Sequence, residues 1–592
     1  TFRRRMAAKA DVHAIRIKPE YVRDCQVHPN EEEHGKERNG KDAAHNGGRG
    51  QGRCEPDDPP KKKSKRQQKA ERAAPGFCTL YARGNCIHAE NCKFSHDVEQ
   101  FRAFKPEDLP GTCPFVVDGK CCPYGITCRF EGTHPKTTEN GDGIALTGNE
   151  DEWNGLSKEL QRRLRKNEVQ FPLADAILRE KGIRISYTKG CKNAGAATEK
   201  ENEVMKRERD TYCPTPAHPR EKKLIDFTDK TYLAPLTTLG NLPFRRVCKG
   251  LGVDITCCEM AMSVNILQGQ TSEWALLRRH PSEDIFGVQV CGGFADSIAR
   301  SCELVERECQ VDFFDINCGC PIDLVCNKGA GASLLKSGKR LENILRCTSS
   351  VVRAPLMVKF RTGYADREEE RVAHKLIPLT KDWGASMVTL HGRTRCQRYS
   401  RLADWEYIKT CVEQSNGQQV IGNGDCFTYT DYERCKQETG VNTVMVARGA
   451  LIKPWIFTEI KEQRHWDISA NERMDLLRSY CKYGLEHWGS DSRGVETTRR
   501  FLLEWLSFLC RYVPVGLLER VPQKMHLKPP PYVGRNDLET LFASNNPSDW
   551  VKISSMLLGP PPENFIFVPK HKSVGWATPS KGTGSAVDQV EG

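Results

Sequence analysis

The chain has 592 residues, with 89 Lys and Arg against 77 Asp and Glu, for a net charge of +12. That length calls for several domains with cores of their own, and the basic balance favours an anionic partner such as nucleic acid. No apolar run approaches the ~18 residues of a membrane helix, and 27 cysteines in a long chain with no secretory leader read as reduced thiols and metal ligands.

Residues 1–74 are polar, rich in Gly, Lys and Glu, and without periodicity, so a disordered basic tail is expected. Within it the run Lys61-Lys62-Lys63-Ser64-Lys65-Arg66 reads as a contact for an anionic partner such as nucleic acid or, equally, as a solvated tail or a nuclear-import signal.

Residues 75–136 hold two similar units. The first is Cys78, Cys86, Cys92 and His96, with gaps of seven, five and three. The second is Cys113, Cys122, Cys128 and His134, with gaps of eight, five and five, and Cys121 as an alternative to Cys122. Three thiolates and one imidazole make a closed, structural zinc site. Units this short bury too little to fold alone, so the metal supplies folding free energy. They resemble CCCH zinc fingers, which often bind single-stranded RNA. Phe77, Tyr81, Arg83, Lys93 and Phe94, then Phe115, Lys120, Tyr124, Arg129 and Phe130, supply stacking faces and cations for such a partner. A finger used only for protein contact is the other reading.

Residues 137–225 read as a linker containing one short basic helix, with Leu156, Leu160 and Leu164 at helical spacing among Lys158, Arg162, Arg163, Arg165 and Lys166. That helix either touches RNA or covers the next domain.

Across 226–460 the pattern changes. Short apolar runs recur at 232–235, 253–256, 285–290, 311–316, 356–360, 386–390, 419–422 and 443–446, separated by helix-length segments such as 297–308, 341–352 and 429–437. Eight alternating β/α units predict an α/β fold, a TIM (β/α)8 barrel. A doubly wound open sheet is the alternative, but no Gly-rich dinucleotide turn follows the first strand. Polar groups fall at successive strand ends: Gln289, Asn317 with Cys320, Lys359 with Arg361, His391 with Arg393, Asn423 with Asp425, and Arg448 with Gly449. Barrel enzymes place their sites at that face, and the loops after strands seven and eight commonly take a phosphate. A phosphorylated cofactor is therefore expected against Gly422-Asn423-Gly424-Asp425 and Ala447-Arg448-Gly449. Lys359 is placed to stabilise a negatively charged reduced isoalloxazine.

Over 461–570 the alternation stops. Met474, Leu477, Cys481, Leu485 and Trp488 recur at helical spacing, and further helices are expected at 501–509, 537–543 and 549–558. A separate all-α domain follows from this, with Arg499, Arg500, Arg511, Lys524 and Lys528 as either an RNA face or a solvated one. Residues 571–592 read as a disordered tail.

The motifs Leu233-Ala234-Pro235-Leu236, Asn241-Leu242-Pro243-Phe244-Arg245, Gln289-Val290, Asp315-Ile316-Asn317-Cys318-Gly319-Cys320-Pro321, Val358-Lys359-Phe360-Arg361-Thr362-Gly363, His391-Gly392-Arg393-Thr394, Gly422-Asn423-Gly424-Asp425 and Ala447-Arg448-Gly449 resemble the tRNA-dihydrouridine synthases. The paired fingers resemble the eukaryotic branch that modifies uridine 47 of tRNA. The resemblance implies a barrel holding FMN, re-reduced by NADPH or NADH, a flipped-out uridine of tRNA as substrate, and mRNA uridines as a further expected substrate. It implies Cys320 as proton donor. It puts Ala234, Pro235, Leu236, Gln289, Lys359, His391, Asn423, Gly424, Asp425, Ala447 and Arg448 on the flavin, with Asn317 beside flavin and substrate and Arg393 on the RNA. Cys318 is a second thiol beside Gly319, and spacing to Pro321 points to Cys320 as the acid. A monomer without membrane attachment, cytoplasmic or nuclear or both, is expected. Two other classes compete: a flavin oxidoreductase for a small molecule, which needs no fingers, and an RNA-binding regulator with an inactive barrel, which needs no Cys320, Lys359 or His391.

Overall fold

The computed structural model describes residues 15–23, 76–82, 86–116, 122–135, 152–184, 225–527 and 529–570. The basic run at 61–66, Arg83, Lys120, Cys121, Lys528 and the tail from 571 lie outside the described residues.

Nine parallel strands form one sheet: β1 (Tyr232–Leu233), β2 (Ile255–Cys257), β3 (Ala261–Met262), β4 (Ile285–Cys291), β5 (Phe313–Cys318), β6 (Leu356–Arg361), β7 (Met387–His391), β8 (Val420–Asn423) and β9 (Thr443–Val446). β2 pairs with β4 as well as with β1, so the eight strands other than β3 close into the expected barrel. β3 was not foreseen; it is a two-residue extension pairing with Val290 and Cys291 beyond the end of β2. The strands read as near-continuous apolar runs because helices cover one face and the barrel interior the other. β7, β8 and β9 are buried at every position.

The fourth predicted run, 311–316, is two residues early. Asp312 is held before β5 by Arg279, 2.7 Å away, and donates its own N–H to Phe286 O. This carries Asn317 and Cys318 into the strand itself. The helices Ala295–Glu308, Gly338–Val351 and Tyr429–Thr439 appear where helical composition put them.

The C-terminal helices pack directly on the barrel. Helix Ala470–Trp488 starts on a Ser469/Glu472 capping box, and helix Ser492–Leu509 on Asp491, whose carboxylate accepts from Gly494 N. Their apolar faces, Leu477, Leu502 and Trp505 among them, belong to the same buried cluster as the barrel. Trp505 meets Phe244 edge-on at 5.3 Å and donates to Leu451 O at 3.0 Å.

The segment expected to be a linker carries two packed helices. In Lys158–Arg165, Leu160 and Leu164 are buried, and Gln161 donates to Gly269 O at 2.9 Å. The basic helix therefore covers the barrel. Helix Pro172–Glu180 receives Glu303 on its first-turn N–H groups and Arg300 on Asp175. Residues 15–23, inside the stretch expected to lack structure, lie against the helical part, with a 3-10 turn at Pro19–Tyr21 between two isolated bridges, Ile17 to Leu518 and Val22 to Tyr532. Among the described residues no helix is long and apolar enough to cross a membrane.

Candidate active site

Side chains alternate along a strand, so parallel register decides which of them share the barrel mouth. Asn317 pairs with Lys359, Arg361 with His391, His391 with Asn423, and Asn423 with Met445. These positions climb around the barrel together and open onto one cleft of about 1070 Å³ at the C-terminal ends of the strands. Ala234, Pro235, Leu236, Gln289, Asn317, Cys320, Lys359, His391, Asn423, Gly424, Asp425, Ala447 and Arg448 all line it.

One hydrogen-bonded chain holds the strand-five end. Asp315, fully buried, is an acceptor, so Gln289 must turn its amide nitrogen towards it, at 2.7 Å. Gln289 then presents its oxygen to Asn317 Nδ2, at 2.8 Å. Asn317 Oδ1 is left to accept from the N–H groups of Gly319 and Cys320, at 3.1 and 2.9 Å. A carboxylate two steps away thus fixes the backbone that carries the thiol. Burial lifts the Asp315 carboxyl to about 6, while Gln289 and the charge of Lys359 oppose the rise.

Cys320 is 6% exposed and faces the cleft. Burial pushes its thiol up, with the backbone at Ile322 pulling the other way. Cys318 is fully buried, does not line the cleft and packs into the main core. Lys359 sits at the floor. Burial, then Arg361 beside it, draw its ammonium down to about 8, so it is still mostly a cation at pH 7. Burial and the cations Arg361, Lys359, Arg393 and Arg448 push His391 well below its usual range. It is neutral, and its Nδ1 is buried with no partner among the described residues.

The loops after β8 and β9 are tied through Asp425. Its carboxylate accepts from Arg393 at 2.6 Å, Arg448 at 2.8 Å and Ala403 N at 2.6 Å. Burial works against its charge, but His526, Arg393 and Arg448 outweigh burial and hold the carboxyl well below the usual range. Gly424, at φ +143°, lies so near Ala403 that a Cβ would meet its methyl at 2.5 Å. Arg393 was expected on the RNA side. It is instead fully buried beneath the cleft, with Nη2 on Asp425 and both Nε and Nη2 on Arg401 O.

Sequence reasoning left several lining residues out of the site. Arg361 was visible as a strand-end cation; it donates to Gly319 O and Thr394 O and braces the Cys320 turn. Met260, Tyr399, Phe508 and Met525 gave no signal, because they arrive from loops and from the helical part.

Both Cys/His sets come together as ligand clusters, each with its four candidate donor atoms within 4.8 Å of one another. Sulfur atoms on a tetrahedral ion with ~2.3 Å bonds stand about 3.8 Å apart. Cys92 and Cys78 are 3.7 Å apart, and Cys113 and Cys128 are 3.8 Å apart. Nε2 of His96 and of His134 is buried without a partner. The donor sets fit zinc, with Cys122 as the fourth ligand of the second. The two fingers differ in what their aromatics do. Phe115 and Phe130 are buried, Arg129 donates to Glu107 O, and Arg129 N donates to Ser490 O, so the second finger is docked on the helical part. In the first finger Tyr81 and Phe94 are exposed, and Tyr81 stacks on His96 at 4.2 Å. Arg499 and Arg511 are also buried; Arg499 caps Leu558 O, so neither forms an RNA face.

The model of the family described as dihydrouridine synthase (Dus) matches residues 232–506. A tRNA-dihydrouridine(47) synthase, NAD(P)(+)-like, of Xenopus laevis is 52% identical over 516 residues, covering 82% of this chain and 78% of that protein. This chain belongs to the dihydrouridine synthase family. The Homo sapiens protein of the same description is 49% identical, covering 82% of this chain and 79% of its own length. That of Arabidopsis thaliana is 45% identical, covering 86% and 87%. The cleft is thus that of a dihydrouridine synthase, an oxidoreductase, and the alternative of a catalytically inactive barrel has no support in it.

Proposed function

We propose that the protein reduces the C5=C6 bond of a uridine in tRNA, at position 47, to 5,6-dihydrouridine, using NADPH or NADH by way of FMN, with Cys320 as proton donor. The observation that carries this reading is the Asn317-held Cys320 thiol facing one cleft with Lys359 and His391. The relatives' printed names support the tRNA position and the nicotinamide.

The residues present fit a flavin. Leu236, Leu239, Met260 and Met445 give apolar walls, while Gln289, Asn423 and the unpartnered His391 Nδ1 offer a few fixed polar contacts. When bound, FMN supplies the hydride for C6 of the uracil. Lys359 offers a cation at the cleft floor for negative charge developing there. Neutral His391 and Gln289 orient the ring system without adding charge. Arg448, held by Asp425, stands at the end of the cleft expected to take the phosphate. Asn317 fixes the turn that presents Cys320 to the cleft, where its S–H would serve C5 of a bound uracil. The thiol gives its proton to C5 as C6 is filled, and the thiolate left behind is reprotonated from solvent. Burial keeps that thiol in its acid form at neutral pH, as a donor requires. A base in a duplex cannot enter such a cleft, so the uridine is flipped out. The exposed Tyr81 and Phe94 of the first finger supply stacking faces for unpaired bases.

The test is purified protein with unmodified tRNA and NADPH or NADH. Flavin absorbance is read before substrate, and dihydrouridine by mass spectrometry of nucleosides after it. Bound flavin with a uridine gaining two hydrogens is expected. Flavin with unaltered tRNA would redirect the search to mRNA uridines or another base, and no flavin would sink the cofactor assignment.

A further inference from the structure

Between Val513 and Val533 the chain leaves the helical part and returns to it, and its tip reaches the cleft. Met525 lines the cleft and is buried. Beside it, His526 Nε2 stands 3.4 Å from Asp425 Oδ2. Gln523 anchors the tip, accepting from Val513 N at 2.9 Å and donating to Arg511 O at 2.8 Å. Among its described residues the excursion holds one short helical turn, Val515–Leu517, and a tight turn at the tip, so most of its backbone groups need partners from elsewhere.

Residues 15–23 supply them on both stems. On the outgoing stem Lys18 N donates to Leu517 O at 2.9 Å, and Glu519 N donates to Arg16 O at 3.0 Å. On the returning stem Arg23 N donates to Pro531 O at 3.0 Å, and Val533 N donates to Tyr21 O at 2.8 Å. Lys18 Nζ adds a bond to Gly516 O at 2.7 Å. Ile15 and Ile17 close a small apolar cluster with Val513, Leu517 and Leu518, distinct from the main core.

We propose that residues 15–23 are a positioning element of the active site: a buckle that clasps both stems of the 513–533 excursion and thereby holds Met525 and His526 at the cleft. One segment bridging both stems, with its 3-10 turn at Pro19–Tyr21 between the two bridges, turns a long open loop, with many competing conformations, into one closed at its base. Asp425 is the point of contact, since it carries His526 on one side and the cleft-lining Arg448 on the other. Flavin as the bound group rests on the function proposed above; the clasping of the loop does not.

The experiment is the full-length chain with Ile15→Asp and Ile17→Asp together, which puts two carboxylates into the small cluster and leaves the main core alone. Amide hydrogen exchange is read at Glu519 and Val533, which donate to the buckle, and at Leu527 in the tip. The helix Ser492–Leu509 serves as the internal control for folding. FMN affinity is read by fluorescence titration. Protection at the three reporter amides is expected to fall while the control helix keeps its own. If the tip then occupies its place a tenth of the time, FMN affinity drops about tenfold. A chain lacking residues 1–23 should behave likewise and be rescued by adding a peptide of residues 15–23. Unchanged protection at Glu519 and Val533 would show that the buckle does not hold the stems. Lost protection with unchanged FMN affinity would show that the cleft does not depend on it. Should the unaltered chain bind no FMN, the proposed function falls, and protection at Leu527 alone decides the buckle.

Discussion

Two thiols stand on either side of Gly319, and their surroundings separate their roles. Cys318 ends a fully packed strand and has no route to a substrate; Cys320 sits past the turn, in the cleft. Cys320→Ala is expected to keep FMN and lose dihydrouridine formation by about 10²–10⁴-fold, the worth of a positioned acid. Cys318→Ala should leave the rate nearly untouched, and single-turnover assays on both variants check the pair. Asn317→Ala frees the Gly319 and Cys320 amides and is expected to cost roughly 10- to 100-fold in kcat through misplacement, with FMN retained. Two ionisations set the pH profile. Cys320 donates only while protonated, and its thiol is raised above the ordinary 9.0, so the limb it governs falls only above that pH. Lys359 is a cation below about 8. The rate of flavin reduction by NADPH should therefore decline as pH rises through about 8, and Lys359→Gln should remove that limb at a lower plateau.

At the scale of elements, the two fingers share a ligand set and divide the work. The second is a bracket: Phe130 is buried, its neighbour Arg129 donates its N–H to Ser490 O, and Phe130→Ala is expected to destabilise the protein by about 3–5 kcal/mol. The first keeps Tyr81 and Phe94 outside, while Phe77 stacks on Phe101. Tyr81→Ala with Phe94→Ala should weaken tRNA binding by ~1–3 kcal/mol for each base that loses its stacking face, read as a raised KM with kcat unchanged and no shift in melting. Metal analysis should return two zinc ions per chain, and a chelator should release both with loss of the finger fold, detected by proteolysis between the fingers.

Across the whole molecule, barrel and helices share one buried cluster. The barrel helix carrying Phe244 is covered by Trp505, and Leu451 O at the barrel mouth is capped by the same indole. Phe508 and Met525 complete the cleft from the helical side. A chain ended after Lys461 would expose that apolar face and lack part of its site. It should be insoluble or fail to retain FMN, whereas a soluble, flavin-loaded 225–461 fragment would overturn the shared-core description.

The sequence by itself determined the barrel, both metal sets apart from the choice between Cys121 and Cys122, and the strand-end residues of the cleft. These are local signals: alternation of apolar runs with helical segments, fixed ligand gaps, and polar residues at the ends of buried strands. Residues such as Gln289, Lys359 and His391 were legible because parallel register carries strand ends to one rim. Tertiary structure decided the rest. Arg393 and Arg499 look like any surface cation in sequence, and only their pairing with Asp425 and with Leu558 O shows them buried. Phe115 and Tyr81 occupy comparable places in two similar fingers, and only docking separates the packed ring from the exposed one. The segment at 15–23 and the stems of the 513–533 excursion have no periodicity of their own, because their backbone partners lie on each other. Such long-range pairings leave no pattern along the chain, since each half acquires its conformation only when the other is in place.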